Sequence, residues 1–532
     1  MSEPRVKKDI RRLLPDMVWP ADWIQHYQQQ GYWQDETLAM RIADWQRRYS
    51  DRVALVEPTR EWRYQTLIDC SRRFAGELHA SGLRAGDPVV IQLPNSAEFI
   101  VALFAVLLMG AVPVLALPAL GQREILHIIT LAEARLYLGC RQLTHLDIPA
   151  WVEHPCAIRL SDEQNRFADC TATPYTDRPQ GDYSLNIALL LLSGGTTGLP
   201  KLIARTHADY GYNFTASAAL CGVDAEERYL AVLSMAHNFP LACPGILGVF
   251  ARGGCVVIPA TAAPEDAFDA IARHRVTMTA LVPSLVSVWL EALNGEKPDL
   301  SSLRLLQVGG ARLAPETAQR VLARFHCQLQ QVFGMAEGLL NYTRLDDSLQ
   351  TVIHTQGKPL CADDEILIVD NEGHPVAPGE TGELLVRGPY TIRGYFRAQR
   401  HNQQAFAHEG FYRSGDRVRQ RSDGYLIVEG RTKDVINRNG ETIAADEIED
   451  CLRAHPAIRD VAVIADHAGS EQEIVHAVVI AEGELTLPAL RRWLEQQHLV
   501  AWKWPERLTL TSSFPLTPIG KVNKKALAAS LS

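Results

Sequence analysis

Residues 193–201 read Ser193-Gly194-Gly195-Thr196-Thr197-Gly198-Leu199-Pro200-Lys201 and follow directly on the apolar run 187–192. Glycines let successive backbone N–H groups converge on an anion, and the hydroxyls of Ser193, Thr196 and Thr197 add donors. Lys201 supplies positive charge. The loop is not a Walker motif, which needs Gly-Lys-Ser/Thr opening a helix; here Pro200 precedes the lysine and Leu202 follows it. A solvated turn could carry the same residues, so the loop alone says only that an anion such as a triphosphate could be held.

The elements around it suggest where such a ligand would sit. Apolar runs at 255–259, 278–282, 303–309 and 327–333 read as strands, and helical stretches at 264–274, 284–293 and 315–325 separate them. Strands alternating with helices of this length imply a parallel sheet covered on both faces. In such sheets ligands bind outside the carboxyl ends of the strands. Gly309-Gly310-Ala311 and Gly334-Met335-Ala336-Glu337-Gly338 lie just there. From about residue 364 short strands (365–369, 383–386, 425–428) and tight turns take over and imply a small antiparallel unit. The charged stretch Gly430-Arg431-Thr432-Lys433-Asp434 precedes a final segment mixing a helix (445–454) with strands (461–465, 476–480). The fold class is therefore α/β: a large N-terminal domain of parallel-sheet subdomains plus a small β subdomain, residues 1–432, hinged to a small α+β C-terminal domain, residues 433–532.

A chain of 532 residues exceeds one compact core, which fits two domains. Lys and Arg number 53 against 62 Asp and Glu, a formal charge of −9. That balance repels phosphate backbones, and no Lys/Arg run offsets it, so nucleic acid is not an expected partner. The ten cysteines are scattered without a C-x-x-C pair, as expected of reduced, packing residues. The charged start, residues 1–8, leads into no apolar region of a secretory signal. Residues 99–117 approach membrane-spanning length, but Gly110 and Pro113 interrupt them; a buried helix (97–109) turning into a buried strand (112–116) explains the same residues. A cytoplasmic protein without a membrane segment is the expectation.

Five ordered segments carry a resemblance. The loop 193–201 looks like the phosphate loop of the adenylate-forming superfamily, which includes acyl-CoA synthetases, luciferases and nonribosomal peptide adenylation domains. Gln331-Val332-Phe333-Gly334-Met335-Ala336-Glu337 resembles its aromatic-Gly-x-x-Glu motif, and Tyr412-Arg413-Ser414-Gly415-Asp416 its Gly-Asp motif. Gly430-Arg431-Thr432-Lys433-Asp434, with Asn439-Gly440-Glu441, resembles its hinge, and Pro515-Leu516-Thr517-Pro518-Ile519-Gly520-Lys521 its catalytic lysine motif. The resemblance implies an enzyme that uses ATP and Mg2+ to join a carboxylic acid to AMP. By it, Ser193, Gly194, Gly195, Thr196, Thr197 and Lys201 hold the β- and γ-phosphates, and Glu337 is the Mg2+ ligand. Val332, Phe333, Gly334 and Met335, with Gly309, Gly310 and Ala311, line the adenine. Asp416 accepts from the ribose hydroxyls, with Arg431 beside it. Lys521 bridges carboxylate and α-phosphate, His237 joins it in the catalytic set, and Lys433 is the hinge. The bland alternatives are a solvated turn at 193–201, a core aromatic at Phe333, and exposed linker charges at Arg431 and Lys433.

His237-Asn238-Phe239-Pro240-Leu241-Ala242-Cys243 follows a strand at 229–233 and should form the acid pocket, with Gly309 and Leu340. Amino-acid-activating relatives carry Asp near this point; Asn238 has donors for a carboxylate or phenolic oxygen and no charge to repel them. The segment, with Trp19-Pro20 and Gly31-Tyr32-Trp33, resembles the stand-alone aryl acid ligases of siderophore biosynthesis. Members using 2,3-dihydroxybenzoate place serine where this chain has Cys243, and commonly tyrosine where it has Phe239. Cysteine is a poor partner for a 3-hydroxyl, so the expected acid is salicylate; a merely packing cysteine at 243 is the alternative. No Gly-Gly-x-Ser carrier motif is present, so the acceptor is expected to be the phosphopantetheine thiol of a separate aryl carrier domain. The rivals are a 2,3-dihydroxybenzoate-AMP ligase, an aryl-CoA ligase using free CoA, and a non-catalytic nucleotide or acid sensor.

Overall fold

The computed structural model describes residues 10–141, 143, 156–162, 166–177, 181, 183–193, 199–295, 297–431, 435–438, 441–466, 473–497, 499, 501–517 and 521–531. Gly194, Gly195, Thr196, Thr197 and Lys433 therefore lie outside the described residues.

Two large sheets form the N-terminal part. In the nine-stranded sheet, Val53–Glu57, Cys255–Val257, Arg228–Leu230, Met278–Leu281, Leu305–Gly309 and Gln328–Met335 run parallel in that spatial order. Antiparallel strands close both edges: Arg60–Arg63 on one side, Gly338–Tyr342 and Lys358–Pro359 on the other. In the seven-stranded sheet, Ile187–Leu192, Val112–Leu115, Pro88–Ile91, Leu136–Cys140 and Ala157–Ser161 are parallel, while Leu202–Thr206 and Tyr395–Phe396 add antiparallel strands beyond Ile187–Leu192. The expected parallel sheet is thus present twice, with antiparallel borders. The expected small antiparallel unit is four strands, Glu365–Val369, Thr381–Arg387, Tyr412–Gln420 and Leu426–Arg431.

The C-terminal part pairs Ile458–Asp466 with Ile474–Ala481 antiparallel, and the latter with Arg507–Leu510 parallel. Helices Ala445–Arg453, Leu487–Gln496 and Lys524–Leu531 pack beside them.

Local chemistry explains the helices that matter. Pro264 opens Pro264–His274 at its first turn, Glu265 and Asp266 face the positive end, and Arg273 and His274 the negative one. The near-membrane stretch is the helix Ala97–Leu108, capped by Ser96 and buried at every residue, then the buried strand Val112–Leu115. Among the described residues no helix is long and apolar enough to cross a membrane.

One side chain ties these parts together. Arg205, on Leu202–Thr206, has 0% of its surface exposed. Its Nε donates to Asp209 Oδ1 (2.8 Å), its Nη1 to the carbonyl of Ala336 (3.0 Å), and its Nη2 to Tyr390 O (3.2 Å) and Asn213 Oδ1 (3.4 Å). Asp209 in turn forms the capping box of His207–Leu220, accepting from the N–H and hydroxyl of Thr206. Burial pushes the Asp209 carboxyl up, and Arg205 is the first influence opposing that. Arg205→Leu should therefore cost about 3–5 kcal/mol in denaturant unfolding, because Asp209 is left buried and unpaired; the double variant with Asp209→Leu should recover part of that loss.

Candidate active site

The phosphate-loop candidate lies between the paired antiparallel strands Ile187–Leu192 and Leu202–Thr206. Leu192 pairs with Leu202, and the base is closed twice more: Ser193 N–H donates to Lys201 O (3.0 Å), and Lys201 N–H to Ser193 Oγ (3.1 Å). Ser193 Oγ thus accepts at the base of the loop, leaving its O–H as a donor. Lys201 extends its ammonium over the ring of Tyr395, 5.5 Å from the centroid.

Glu337 sits in the turn between Gln328–Met335 and Gly338–Tyr342. Arg205 holds this turn through Ala336 O, and Ile392 N–H donates to Glu337 O (2.7 Å). The carboxylate is 7% exposed and accepts the Tyr395 hydroxyl at Oε1 (2.7 Å); Tyr395 and Tyr412 hydroxyls are 2.9 Å apart. Burial raises the Glu337 pKa; the Tyr395 bond, its own backbone N–H, Arg431 and Lys201 oppose it. A buried carboxylate within the influence of Lys201 and Arg431 is a hard oxygen donor whose charge a divalent cation would compensate, and its chemistry fits Mg2+. Among the described residues no group of three or more His, Cys, Asp or Glu is placed to hold a metal by protein ligands alone.

The floor lies at the carboxyl ends of two adjacent strands. Gly309 ends Leu305–Gly309, and a Cβ there would meet Val332 O at 2.6 Å and the Phe239 ring at 3.0 Å. Gly310 has φ +83°, a conformation suited to glycine. Ala311 is exposed, Val332 buried, and Phe333, Gly334 and Met335 half-buried. The expected loop at 334–338 is shorter than anticipated: Gly334 and Met335 belong to the strand, and Gly338 already starts its antiparallel neighbour. Leu340, on that neighbour, is buried, its Cδ2 within 2.5 Å of where a Gly334 Cβ would be.

Asp416 lies within Tyr412–Gln420, not in a loop. It faces Arg431 across the antiparallel pair, and Arg431 Nε donates to Asp416 Oδ1 (3.0 Å). The two residues expected near a ribose are therefore neighbours.

His237 caps the short helix Asn238–Ala242, its Nδ1 accepting from Phe239 N–H (3.3 Å), which leaves Nε2 to carry the proton of the neutral ring. Burial, then the Lys521 ammonium, push His237 down to about 4. Asn238 Oδ1 accepts from Tyr210 OH (2.9 Å), which fixes the amide so that Nδ2 points toward Cys243 Sγ, 3.6 Å away. Burial raises the Cys243 thiol to about 12. Phe239 is 7% exposed and touches Gly309.

Lys521 reaches this cleft from the C-terminal part. Thr517 N–H donates to Lys521 O (2.6 Å) and Lys521 N–H to Thr517 Oγ1 (3.1 Å), which anchors the Lys521 backbone. Its Cε lies 3.6 Å from the position a Cβ on Gly310 would take. Ion pairs Arg312–Asp450 and Arg459–Glu291 (3.3 Å) link the two parts nearby.

Sequence reasoning missed Arg205 and Tyr395. Arg205 had one signal, a charge inside the apolar run Leu202-Ile203-Ala204-Arg205. Tyr395 had none.

Residues 42–396 match the AMP-binding enzyme family, and residues 447–521 match the AMP-binding enzyme C-terminal domain. The chain is 44% identical to the vibriobactin-specific 2,3-dihydroxybenzoate-AMP ligase of Vibrio cholerae, covering 96% of each protein. It is also 44% identical to the salicyl-AMP ligase / salicyl-S-ArCP synthetase of Mycobacterium tuberculosis, covering 99% of this chain and 98% of that one. The apo structure of MbtA from Mycobacterium smegmatis superposes with a TM-score of 0.74 at 43% identity, covering 96% of this chain and 98% of that one. With the family matched across most of its length and a large N-terminal domain joined to a small C-terminal one, the chain belongs to the AMP-binding, adenylate-forming enzymes and is an adenylating ligase.

Proposed function

We propose that this ligase activates an aryl acid, salicylate in preference to 2,3-dihydroxybenzoate, and passes the acyl group to the phosphopantetheine thiol of an aryl carrier domain in siderophore biosynthesis, in the cytoplasm. The observation that carries the adenylation step is Lys521, brought from the small domain to Gly310 and His237 at the strand ends. In that step a carboxylate oxygen attacks the α-phosphorus of ATP, the bond from that phosphorus to the α,β-bridging oxygen breaks, and pyrophosphate leaves. Two anions must meet, so positive charge and exclusion of water are the requirements.

In this reading Lys521 bridges the attacking carboxylate and the α-phosphate. A neutral His237 beside it adds no second positive charge and keeps its Nε2–H as a donor. The loop 193–201 holds the β- and γ-phosphates through Ser193, Gly194, Gly195, Thr196, Thr197 and Lys201. Glu337 would hold a magnesium ion, which when bound neutralises charge on the triphosphate. Val332, Phe333, Gly334 and Met335 enclose the adenine with Gly309, Gly310 and Ala311. Asp416 accepts from the ribose, and Arg431, already paired to it, sets its orientation. Residues 1–432 and 433–532 act as the two domains, with Lys433 at the hinge between an adenylating and a thiol-acylating pose.

The acid side rests on Asn238, Phe239, Cys243, Gly309 and Leu340. With Oδ1 occupied by Tyr210, Asn238 offers Nδ2–H to the phenolic or carboxylate oxygen of an ortho-hydroxy acid. A protonated Cys243 thiol beneath it gives a 3-hydroxyl only a weak partner. Relatives named for salicylate and for 2,3-dihydroxybenzoate are equally similar, so the pocket residues carry this choice.

Three measurements test the proposal. Lys521→Ala should lower acid-dependent pyrophosphate exchange on the order of 100-fold, the equivalent of about 3 kcal/mol, while still transferring acyl groups from preformed adenylate; normal exchange would sink the assignment. Cys243→Ser should favour 2,3-dihydroxybenzoate over salicylate when the two acids are compared by kcat/KM, and an unchanged ratio would place discrimination elsewhere. The third concerns stability. Because His237 titrates near 4 when folded against 6.5 ordinarily, the unfolded chain takes up its proton first as pH falls. Its contribution is intact above 6.5 and is lost from 6.5 toward 4, with a slope of up to ~1.4 kcal/mol per pH unit. His237→Asn keeps a cap acceptor without titrating, so its unfolding free energy should vary less over that range.

A further inference from the structure

We propose that Tyr395 is a positioning residue that holds Lys201 and Glu337 apart and in place for a triphosphate and its divalent cation. The inference rests on the reading of Glu337 as the metal carboxylate.

Tyr395 stands where three sheets meet. Its two-residue strand pairs antiparallel with Leu202–Thr206, Tyr395 opposite Ile203, which sets the ring beside Lys201. Its hydroxyl crosses to the Glu337 turn on the nine-stranded sheet (2.7 Å) and meets Tyr412 of the four-stranded sheet (2.9 Å). Since an ionised carboxylate only accepts, Tyr395 donates to Glu337, and Tyr412 must donate to the Tyr395 oxygen. The second donor polarises the first and strengthens a bond already assisted by charge. The ring face meanwhile receives the Lys201 ammonium at 5.5 Å.

The geometry answers a specific difficulty. A lysine and a glutamate in one water-poor cleft attract each other, and a direct pair would withdraw both from a ligand. One phenol that offers a π face to the cation and an O–H to the anion gives each a partner of its own. The polar atoms that bind the ligand then keep their places without it. Tyr395 touches neither substrate nor reacting atoms in this account; it acts through the two side chains that do.

The test separates the two faces of the ring in the full-length protein. ATP binding is measured by calorimetry without acid, in EDTA and across a Mg2+ series, for wild type, Tyr395→Phe, Tyr395→Leu, Tyr412→Phe and Glu337→Gln. Tyr395→Phe keeps the ring and loses the hydroxyl; it should raise the Mg2+ needed for half-maximal tightening about tenfold and leave binding in EDTA unchanged. Tyr395→Leu should also weaken binding in EDTA, by about threefold. Tyr412→Phe should shift the Mg2+ dependence in the same direction by less, and it decides the case if Tyr395→Phe does not fold. A Mg2+ dependence that Glu337→Gln shifts but both phenylalanine variants leave at the wild-type value overturns the inference alone. A Glu337→Gln protein with wild-type Mg2+ dependence overturns the metal reading and the inference with it.

Discussion

A guanidinium sealed from water has to be satisfied wholly by the protein, and in this ligase one such group governs how the cleft is assembled. Arg205 reaches the strand of the phosphate-side hairpin, the turn that carries Glu337 and, through Asn213, the helix that carries the acid-side residues: Asn213 Nδ2 donates to Ala242 O (2.7 Å). Its face also lies over Tyr210 (4.7 Å), the residue that fixes the Asn238 amide. Each contact is ordinary in strength. Together they mean that neither the hairpin strand nor the Glu337 turn can shift without leaving a buried charge short of a partner, and the Asn238–Ala242 helix is held one step further out through Asn213.

The C-terminal side of the cleft is held quite differently. The Lys521 backbone is anchored by hydrogen bonds to Thr517, but the ion pair Arg459–Glu291 between the two parts is largely exposed, and Arg312–Asp450 is only partly buried. An exposed pair contributes at most about 1 kcal/mol. In the proposed mechanism Glu337 therefore sits on a charge-locked frame, whereas the lysine rides on a surface held by small energies. That division suits the proposed second step, for which the two domains would take a different arrangement.

Much of this was legible in the sequence because it depends on runs and periodicity. Pro264–His274, Pro315–Phe325 and Glu365–Val369 fall where their apolar spacing and caps put them. The expectations for Glu337, Asp416 and Lys521 came from motif resemblance, and their geometry explains why spacing alone could not supply it. Asp416 faces Arg431 across a strand pair, and the strand that carries Asp416, Tyr412–Gln420, holds Arg413, Asp416, Arg417 and Arg419 and no apolar run to announce it. Leu202–Thr206 was hidden for another reason, since it turns back on Ile187–Leu192 in a sheet otherwise built from crossovers. Tyr395 lay beyond reach: its significance comes from contacts to residues 201, 337 and 412, which no local pattern encodes.

Gly309 has a consequence for how such a pocket can change over evolutionary time. Any side chain there would strike the carbonyl of Val332, a backbone atom of the neighbouring strand, so position 309 is closed to variation by the sheet itself. Phe239, the other neighbour, is carried by a five-residue helix outside the sheet, as are Asn238 and, just beyond its end, Cys243. If these residues line the acid pocket as proposed, divergence toward new acids is channelled into that helix. Substitutions there can be sampled one at a time while the strands beneath stay unchanged, which makes the choice of acid a separable trait.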